Sequence, residues 1–261
     1  STVFLPSRQA PQEVVEVGLI LPLTGPAASI GELFKSSMEW KAEQLRAEGL
    51  LIQLHIEDTA SDPKRAVTGF QKLFAVDGVR LFYTTTSAAA VALLPSAEKE
   101  EVLLSAGASH PALTKGTRHI LRHSNVVPRD AALMRDFARL HQAKRVGFIF
   151  QQDDWGVTMR EHVANLLAQD GVVLLAEAIP VGATDVRSPL TKIIGERPDI
   201  LVLGALGPTA GILAKQAREQ GYQGLLYSSV GFVLTPDAQK IAGGAAKGMW
   251  YQTYPRNTVF E

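Results

Sequence analysis

Residues 14–31 (VVEVGLILPLTGPAASIG) decide the fold of this chain of 261 residues. Residues 14–21 form a short, β-branched, apolar run, which is typical of a buried strand. The segment 22–26 (PLTGP) ends this run, because a proline nitrogen cannot donate to a strand ladder. Ser29 and Glu32 then have the spacing of a helix capping box, and apolar residues follow at helical intervals. The stretch predicts a strand, a tight turn and a helix.

The same alternation of strand and helix continues along the chain and occurs twice. Further strands are predicted at residues 51–56, 79–83 and 102–105, and then at 145–150, 172–176, 199–203 and 225–227. Asp62-Pro63 and Ser188-Pro189 each predict a helix start, with an N-cap residue followed by proline. Parallel strands with helical crossovers form sheets that are covered on both faces. The sequence therefore predicts an α/β fold with two Rossmann-like, doubly wound lobes of similar topology.

The predicted lobes place a ligand cleft between them. Ligands of doubly wound sheets bind outside the carboxyl ends of the strands, so the loops that follow the strands of both lobes should line one cleft. The predicted division is a tether at residues 1–13, lobe one at 14–121, lobe two at 122–247 and the start of a return to lobe one at 248–261.

Composition excludes several classes of function. Twenty-six basic residues balance 26 acidic ones, whereas a nucleic-acid binder needs an excess of positive charge. The chain has no cysteine, which excludes thiolate catalysis, disulfides and cysteine-based zinc sites. No nucleophile elbow, phosphate-binding P-loop or dinucleotide fingerprint occurs. We expect no catalytic residues, no metal site and no cofactor.

Of the paired acids Asp153-Asp154, one is expected to cap a helix and the other to be solvated.

No apolar run approaches the length of a membrane-spanning helix, and no signal peptide is visible. If the protein is exported, the sequence is therefore expected to be that of the mature form, after cleavage of a signal.

A set of short segments shares its order and spacing with one known family. These segments are residues 17–31 (VGLILPLTGPAASIG), 57–66 (EDTASDPKRA), 103–114 (LLSAGASHPALT), 154–156 (DWG), 216–221 (QAREQG) and 242–248 (AGGAAKG). They resemble the type I solute-binding proteins of bacterial ABC importers, in the leucine/isoleucine/valine-binding branch. The resemblance implies the type I periplasmic binding protein fold and a membrane permease as partner. It also implies a periplasmic or extracellular location, with or without a membrane tether.

The resemblance also implies a set of ligand-binding residues. In the family, a ligand carboxylate meets hydroxyls and amides on two loops of the first lobe, and an aromatic residue closes over the ligand from the second lobe. The corresponding residues here are Thr85, Thr86 and Ser87 on one loop, Gly107 (supplying backbone), Ala108 and Ser109 on the other, and Trp155 as the aromatic. Leu206, Val230 and Ile30 are expected to form an apolar wall. From the residues alone, the alternative interpretation of Trp155 is a core tryptophan at a helix start.

Two departures from the family pattern bear on the solute. The family's acid, which pairs the ligand ammonium, corresponds to about Val230, and residues 228–233 contain no carboxylate. The tyrosine that helps to hold the amino group corresponds to Leu206. Because burying an unpaired ammonium is costly, we expect a carboxylate on an apolar or aromatic body rather than an α-amino acid. Aromatic, fatty and keto acids and neutral amides or ureas remain open.

A third departure is length. Members of the family are longer, and their chains return to lobe one, so the resemblance implies that the C-terminal part of lobe one is absent. The chain would then be a fragment, a shortened paralogue or a protein that a partner completes. A strand left unpaired near residues 249–253 would favour a homodimer.

An extracytoplasmic solute-binding protein of an ABC importer is the leading hypothesis for function. A ligand-sensing domain of a regulator or receptor with the same fold, and an enzyme on a doubly wound fold, are the alternatives.

Overall fold

The computed structural model describes residues 14–253, in which two parallel five-stranded sheets are each flanked by helices. The predicted tether and the last residues of the predicted return segment lie outside the described residues. The strands are β1 (Val15–Leu21), β2 (Ile52–Asp58), β3 (Leu81–Thr84), β4 (Leu103–Ala106), β5 (Ile120–Arg122), β6 (Arg145–Gln151), β7 (Val173–Ile179), β8 (Ile200–Gly204), β9 (Leu225–Ser228) and β10 (Trp250–Tyr251). The α-helices are α1 (Ala28–Ala47), α2 (Pro63–Ala75), α3 (Ser87–Lys99), α4 (Val127–Leu140), α5 (Asp154–Gln169), α6 (Arg187–Gly195), α7 (Pro208–Glu219) and α8 (Pro236–Ala242).

The two sheets have the same strand order. The first runs β2-β1-β3-β4-β5, and the second, taken from its corresponding edge, runs β7-β6-β8-β9-β10. Every pairing is parallel, including β1 with β3 and β6 with β8. The predicted α/β fold with two doubly wound lobes of similar topology is confirmed. The first sheet includes Arg122, just past the predicted lobe boundary at residue 121.

Each lobe has its own buried core on both faces of its sheet. In the first lobe, α2 and α3 cover one face around Phe70, Phe82 and Leu93, and α1 covers the other around Leu19 and Leu21. In the second lobe the corresponding clusters form on either side of β6 and β8. Because the buried clusters do not cross between the lobes, each lobe is packed as a separate body.

The end of the described chain belongs to the second sheet. Trp250 and Tyr251 pair in parallel with Tyr227 and Ser228 of β9, and the Gln252 N–H continues the ladder by donating to the Ser228 carbonyl at 3.0 Å. The predicted start of a return to lobe one at residue 248 is wrong for this segment, as is the expected unpaired strand. The segment is held by backbone hydrogen bonds to its own lobe, and the homodimer stays a prediction.

The predicted helix starts have different outcomes. Asp62 caps α2 as expected, because its carboxylate accepts a hydrogen bond from the Lys64 N–H at 2.8 Å. The Ser188 cap is wrong. Helix α6 already begins at Arg187, and the buried Val186 before it is fixed by a 2.8 Å hydrogen bond from its N–H to the Gln216 side chain.

The Ser29 capping box is also wrong, because α1 begins before Ser29. Its N-cap is Ala27, which makes no side-chain cap. Gly25 turns the chain with φ +80°, and the Ala27 N–H donates to the Ser61 hydroxyl at 3.2 Å. Ser29 therefore lies inside the first turn of the helix, where its side chain is free for another role.

None of the helices within residues 14–253 is both long and apolar enough to cross a membrane.

Asp62 and Ser188, which each precede a proline, provide a matched test of capping. We expect Asp62→Ala to lower the free energy of unfolding by about 1 kcal/mol, since the Lys64 N–H loses its partner. Ser188→Ala should change it by less than about 0.5 kcal/mol, because exposed Ser188 makes no cap. Urea denaturation of both variants measures this, and equal losses would contradict the assignment of the caps.

Candidate functional site

A cavity of about 250 Å³ lies between the two lobes, and we call it the cleft. It lies at the carboxyl ends of the strands of both sheets. Loops after β1, β3 and β4 of the first lobe face loops after β6, β8 and β9 of the second. The cleft thus occupies the position predicted from the strand order.

The structure brings every predicted site residue to this one cavity. Its lining includes Ile30, Thr85, Thr86, Ser87, Gly107, Ala108 and Ser109 from the first lobe, and Trp155, Leu206 and Val230 from the second. Residues separated by up to 200 positions in the chain meet because parallel strands place their loops on the same edge. The part these residues take in binding a ligand stays a prediction.

The loop after β3 presents hydroxyls at the start of a helix. Thr86 is the N-cap of α3, and its hydroxyl oxygen accepts a hydrogen bond from the Ala89 N–H at 3.3 Å. A hydroxyl that accepts one hydrogen bond retains its own proton for donation. Ser87 and Ala88 follow in the first helical turn, where backbone N–H groups have no partner within the helix. The arrangement favours an anion, because the helix dipole adds to these donors.

The loop after β4 differs in one respect from the prediction. The Gly107 N–H donates to the Thr84 carbonyl at 2.9 Å, so this backbone donor is already used. Glycine is needed here for space instead, since a Cβ at Gly107 would lie 2.8 Å from the Tyr83 hydroxyl and 3.2 Å from the His123 ring. Ser109 is buried, and its carbonyl accepts from the Val127 N–H at 3.0 Å, which ties this loop to the start of α4.

The loop after β1 is held by a partly exposed hydrogen-bond network around Asp58. Its carboxylate accepts hydrogen bonds from the Leu23 N–H at 2.8 Å, the Thr24 hydroxyl at 2.6 Å and the Ala60 N–H at 2.8 Å. Burial opposes ionisation, but these hydrogen bonds outweigh it and lower the pKa of Asp58 to about 2. The network positions Pro26, a lining residue of the cleft.

Trp155 belongs to the core of the second lobe and also borders the cleft, while its contact with a ligand stays a prediction. The residue lies in the first turn of α5 and is 8 % exposed. Asp153 caps this helix by accepting from the Gly156 N–H at 2.7 Å, while Asp154 is exposed, so the predicted division of these two acids is confirmed.

The sequence analysis missed five polar residues of the lining, namely Ser61, Ser124, Asp130, Gln151 and Asp153. Gln151 is buried at the end of β6, and its side-chain oxygen accepts from the Leu206 N–H at 3.0 Å. Gln151 and Asp153 belong to a segment that the sequence already predicted to face the cleft, so their position after the strand could have indicated a place in the site. Asp130 gave no such signal, because it lies on α4 after the crossover between the lobes. Burial raises the pKa of Asp130 to about 6, against a hydrogen bond from Asn125 and the charge of Arg129.

The lobes touch each other beside the cleft. A Cβ at Gly182 would lie 2.6 Å from Pro26 Cβ, and one at Gly207 would lie 3.1 Å from Ser29 Oγ. The side-chain oxygens of Ser29 and Thr235 are buried there, with no hydrogen-bond partner among the described residues. The contact therefore depends on two glycines of the second lobe having no side chain.

No group of three or more His, Cys, Asp or Glu residues that could hold a metal ion occurs within residues 14–253.

A family model described as "Periplasmic binding protein" matches residues 14–259, nearly the whole chain. The chain belongs to this family. As a periplasmic binding protein it is expected to bind its solute where the two lobes meet, which is where the cleft lies.

Curated relatives of this periplasmic binding protein carry related names. It is 26 % identical over 228 residues to the Leu/Ile/Val-binding protein BraC3 of Rhizobium johnstonii, covering 84 % of this chain and 61 % of that one. It is 28 % identical over 255 residues to an amino acid binding protein of Pseudomonas aeruginosa, covering 94 % and 67 %. The chain thus spans about two thirds of the length of these relatives.

Solved structures show the same fold. A leucine binding protein, LivK, from Thermotoga maritima has a TM-score of 0.82 at 24 % identity, with 92 % of this chain and 69 % of that chain covered. A solute binding protein of an ABC transporter from Rhodopseudomonas palustris, solved with 3,4-dihydroxybenzoic acid, has a TM-score of 0.80 at 21 % identity, covering 89 % and 66 %.

Asp58 generates a prediction on pH. Its pKa in the folded protein lies below the ordinary value of 3.8, so its ionised form stabilises the fold above that pH and the effect is lost as the pH falls toward 2. We expect Asp58→Asn to lower the free energy of unfolding by about 1–2 kcal/mol at about pH 7. The difference from the native protein should shrink between about pH 4 and pH 2.

Urea denaturation at a series of pH values measures this difference. Asp237→Asn, the same chemical change at an exposed acid, is the control and should leave stability nearly unchanged. A loss for Asp58→Asn that does not vary with pH would contradict the charge-dependent network.

Proposed function

We propose that this periplasmic binding protein captures a small carboxylate with an apolar or aromatic body in the cleft and delivers it to the membrane permease of an ABC importer. The observation that carries the proposal is the meeting, in one cavity, of hydroxyl-bearing loops from the first lobe and an apolar wall from the second.

The first lobe offers the donors that a carboxylate needs. The Thr86 and Ser109 hydroxyls and the backbone of the first turn of α3 line the same side of the cleft. Hydrogen bonds to an ionised acceptor are about twice as strong as neutral ones, so this side favours a carboxylate over an amide.

Apolar side chains of the cleft would contact the rest of the ligand. Trp155, Leu206 and Val230 of the second lobe face Ile30 and Phe34 of the first. A cavity of about 250 Å³ suits a small organic acid rather than a peptide or a nucleotide. Residues 228–233 contain no carboxylate, which favours an acid over an α-amino acid held by that loop.

Relatives support the class of function. The names of the curated relatives refer to amino acid binding, and the Rhodopseudomonas palustris neighbour holds an aromatic acid in a protein of this fold. Both kinds of ligand carry a carboxylate, the group that the first lobe is proposed to hold.

Capture requires the ligand to touch both lobes. A ligand shifts the balance between open and closed lobes only through a difference in its affinity for the two states. The cleft meets this requirement, since its donors and most of its apolar wall belong to different lobes. Import then follows if the permease recognises the closed form.

The anchor is tested with acids and their matched amides. A thermal-shift screen should respond to 4-methylpentanoate or benzoate more than to 4-methylpentanamide or benzamide. Thr86→Ala and Ser109→Ala should each weaken acid binding by about 1–3 kcal/mol in calorimetry, and amide binding by less.

Thr86→Ser is the control, because it keeps both the hydroxyl and the α3 cap. It should bind acids nearly as well as the native protein. Equal losses for acids and amides in the alanine variants would overturn the carboxylate anchor.

Closure is tested at Gly182. Gly182→Ala places a methyl group 2.6 Å from Pro26 Cβ across the lobes, at a residue with φ +75°. Gly171→Ala introduces a side chain at a similar φ of +68° with nothing within 4 Å, so it matches the backbone strain without the clash. Both variants should lose about 1 kcal/mol of stability.

Only Gly182→Ala should also bind the best acid of the screen about tenfold more weakly, the effect of about 1.4 kcal/mol of interlobe clash. Small-angle X-ray scattering should show less ligand-induced compaction for this variant alone. Unchanged affinity and compaction would contradict the need for this contact in capture.

A further inference from the structure

We propose that Asp130 is a specificity-determining residue of the cleft, whose carboxyl accepts a hydrogen bond from a hydroxyl or ammonium that the solute carries in addition to its carboxylate. The proposal rests on the proposed function and names a second polar group on the same ligand.

Asp130 borders the cleft but is nearly inaccessible to bulk water. It lies in the first turn of α4, only 6 % exposed, yet it lines the cleft. We therefore expect its carboxyl to interact with the molecule that occupies the cleft.

The backbone around Asp130 is fixed. Its carbonyl accepts from the Gln252 side-chain amide at 2.8 Å, a buried hydrogen bond that spans 122 positions in the chain. The Val127 N–H, at the start of the same helix, donates to the Ser109 carbonyl at 3.0 Å. These bonds hold the first turn of α4 against the proposed anchor loop, so a donor carried near the ligand carboxylate lies on the same side of the cleft as Asp130.

The carboxyl of Asp130 retains capacity to accept. It receives a hydrogen bond from the Asn125 side chain, and a carboxylate has about four lone-pair sites. None of the ion pairs found within residues 14–253 includes Asp130, and the neighbouring Arg129 is exposed. Burial raises its pKa to about 6, so near neutral pH the group is mostly an anion in a poorly solvated place. A donor on the ligand would relieve that cost.

The other acid of the cleft has a different role. Asp153 is the N-cap of α5, where its carboxylate accepts from the N–H groups of Gly156 and Trp155. Its oxygens are therefore engaged in capping the helix. Because asparagine also caps helices well, Asp153→Asn removes a charge from the same cleft while keeping the fold, which makes it a matched control.

The test compares ligands that differ in one group. The probes are 4-methylpentanoate, 2-hydroxy-4-methylpentanoate and leucine, with 3-phenylpropanoate, 3-phenyllactate and phenylalanine as the aromatic set. In calorimetry, the native protein should bind the hydroxy acid or the amino acid of a set about tenfold or more tightly than the plain acid. The two arms separate a hydroxyl donor from an ammonium donor.

Variants then assign that preference to a residue. Asp130→Ala should bring the affinity ratio close to one while the plain acid still binds, and Asp130→Asn should do the same where the donor is an ammonium. Asp153→Asn should keep the native ratio. An asparagine oxygen can still accept a hydrogen bond from a ligand hydroxyl. Asp130→Ala removes every side-chain acceptor, so it is the variant that tests a hydroxyl donor. A purely structural role for Asp130 would weaken all probes alike and leave the ratio unchanged.

Four results overturn the proposal, and they are distinguishable. Equal affinity of the native protein for all members of a set, or a ratio that persists in both Asp130 variants, removes Asp130 as the determinant and leaves the carboxylate anchor standing. A ratio lost only in Asp153→Asn assigns the preference to Asp153 instead. No binding of any probe to the native protein overturns the proposed function and this inference with it.

Discussion

Parallel pairing of β1 with β3, and of β6 with β8, is the constraint on which the rest of the structure depends. A parallel pair needs a crossover of a dozen or more residues, so helices return the chain to the same edge before every new strand. All post-strand loops of a lobe therefore gather at one edge. Two lobes of equal order, with these edges facing each other, form a cavity between loops whose residues are far apart in sequence.

The same constraint explains how much the sequence could predict. Alternating apolar strands and amphipathic helices determine the sheets, and the sheets determine which loops meet, so the loops that carry Thr86, Ser109 and Trp155 could be placed together from the pattern. The choice of these three residues within the loops came from the resemblance to the family. The errors occur where local pattern competes with tertiary contact. Ser188 has the local signature of a cap, but Gln216, distant in sequence, fixes the start of the helix two residues earlier, at Val186. Asp130 escaped prediction because no post-strand rule points to the first turn of a helix that follows a lobe crossover.

The cleft holds groups of opposite preference. Hydroxyls and N–H groups at the start of α3 favour an anion, whereas the carboxyls of Asp130 and Asp153 repel one. Part of this conflict is met by backbone donors: Asp58 nearby accepts hydrogen bonds from the loop after β1, and Asp153 accepts from the N–H groups at the start of α5. Burial nevertheless raises the pKa of Asp153, and it raises the pKa of Asp130 to about 6. The presence of Asp130 makes a plain acid an incomplete match to the cleft and a ligand with both acceptor and donor a better one.

The contact between the lobes indicates where the energy for closure comes from. Beside the cleft the second lobe presents Gly182 to Pro26 and Gly207 to Ser29, so the lobes approach closely where these two residues have no side chain. The hydroxyl oxygens of Ser29 and Thr235 lose solvent there without a hydrogen-bond partner among the described residues, which opposes closure. A contact of this kind does not hold the lobes together by itself. On the proposed function, a ligand that contacts the donors of the first lobe and the apolar side chains of the second would supply the difference. The closed state would then depend on the solute, which is the property that a partner could recognise.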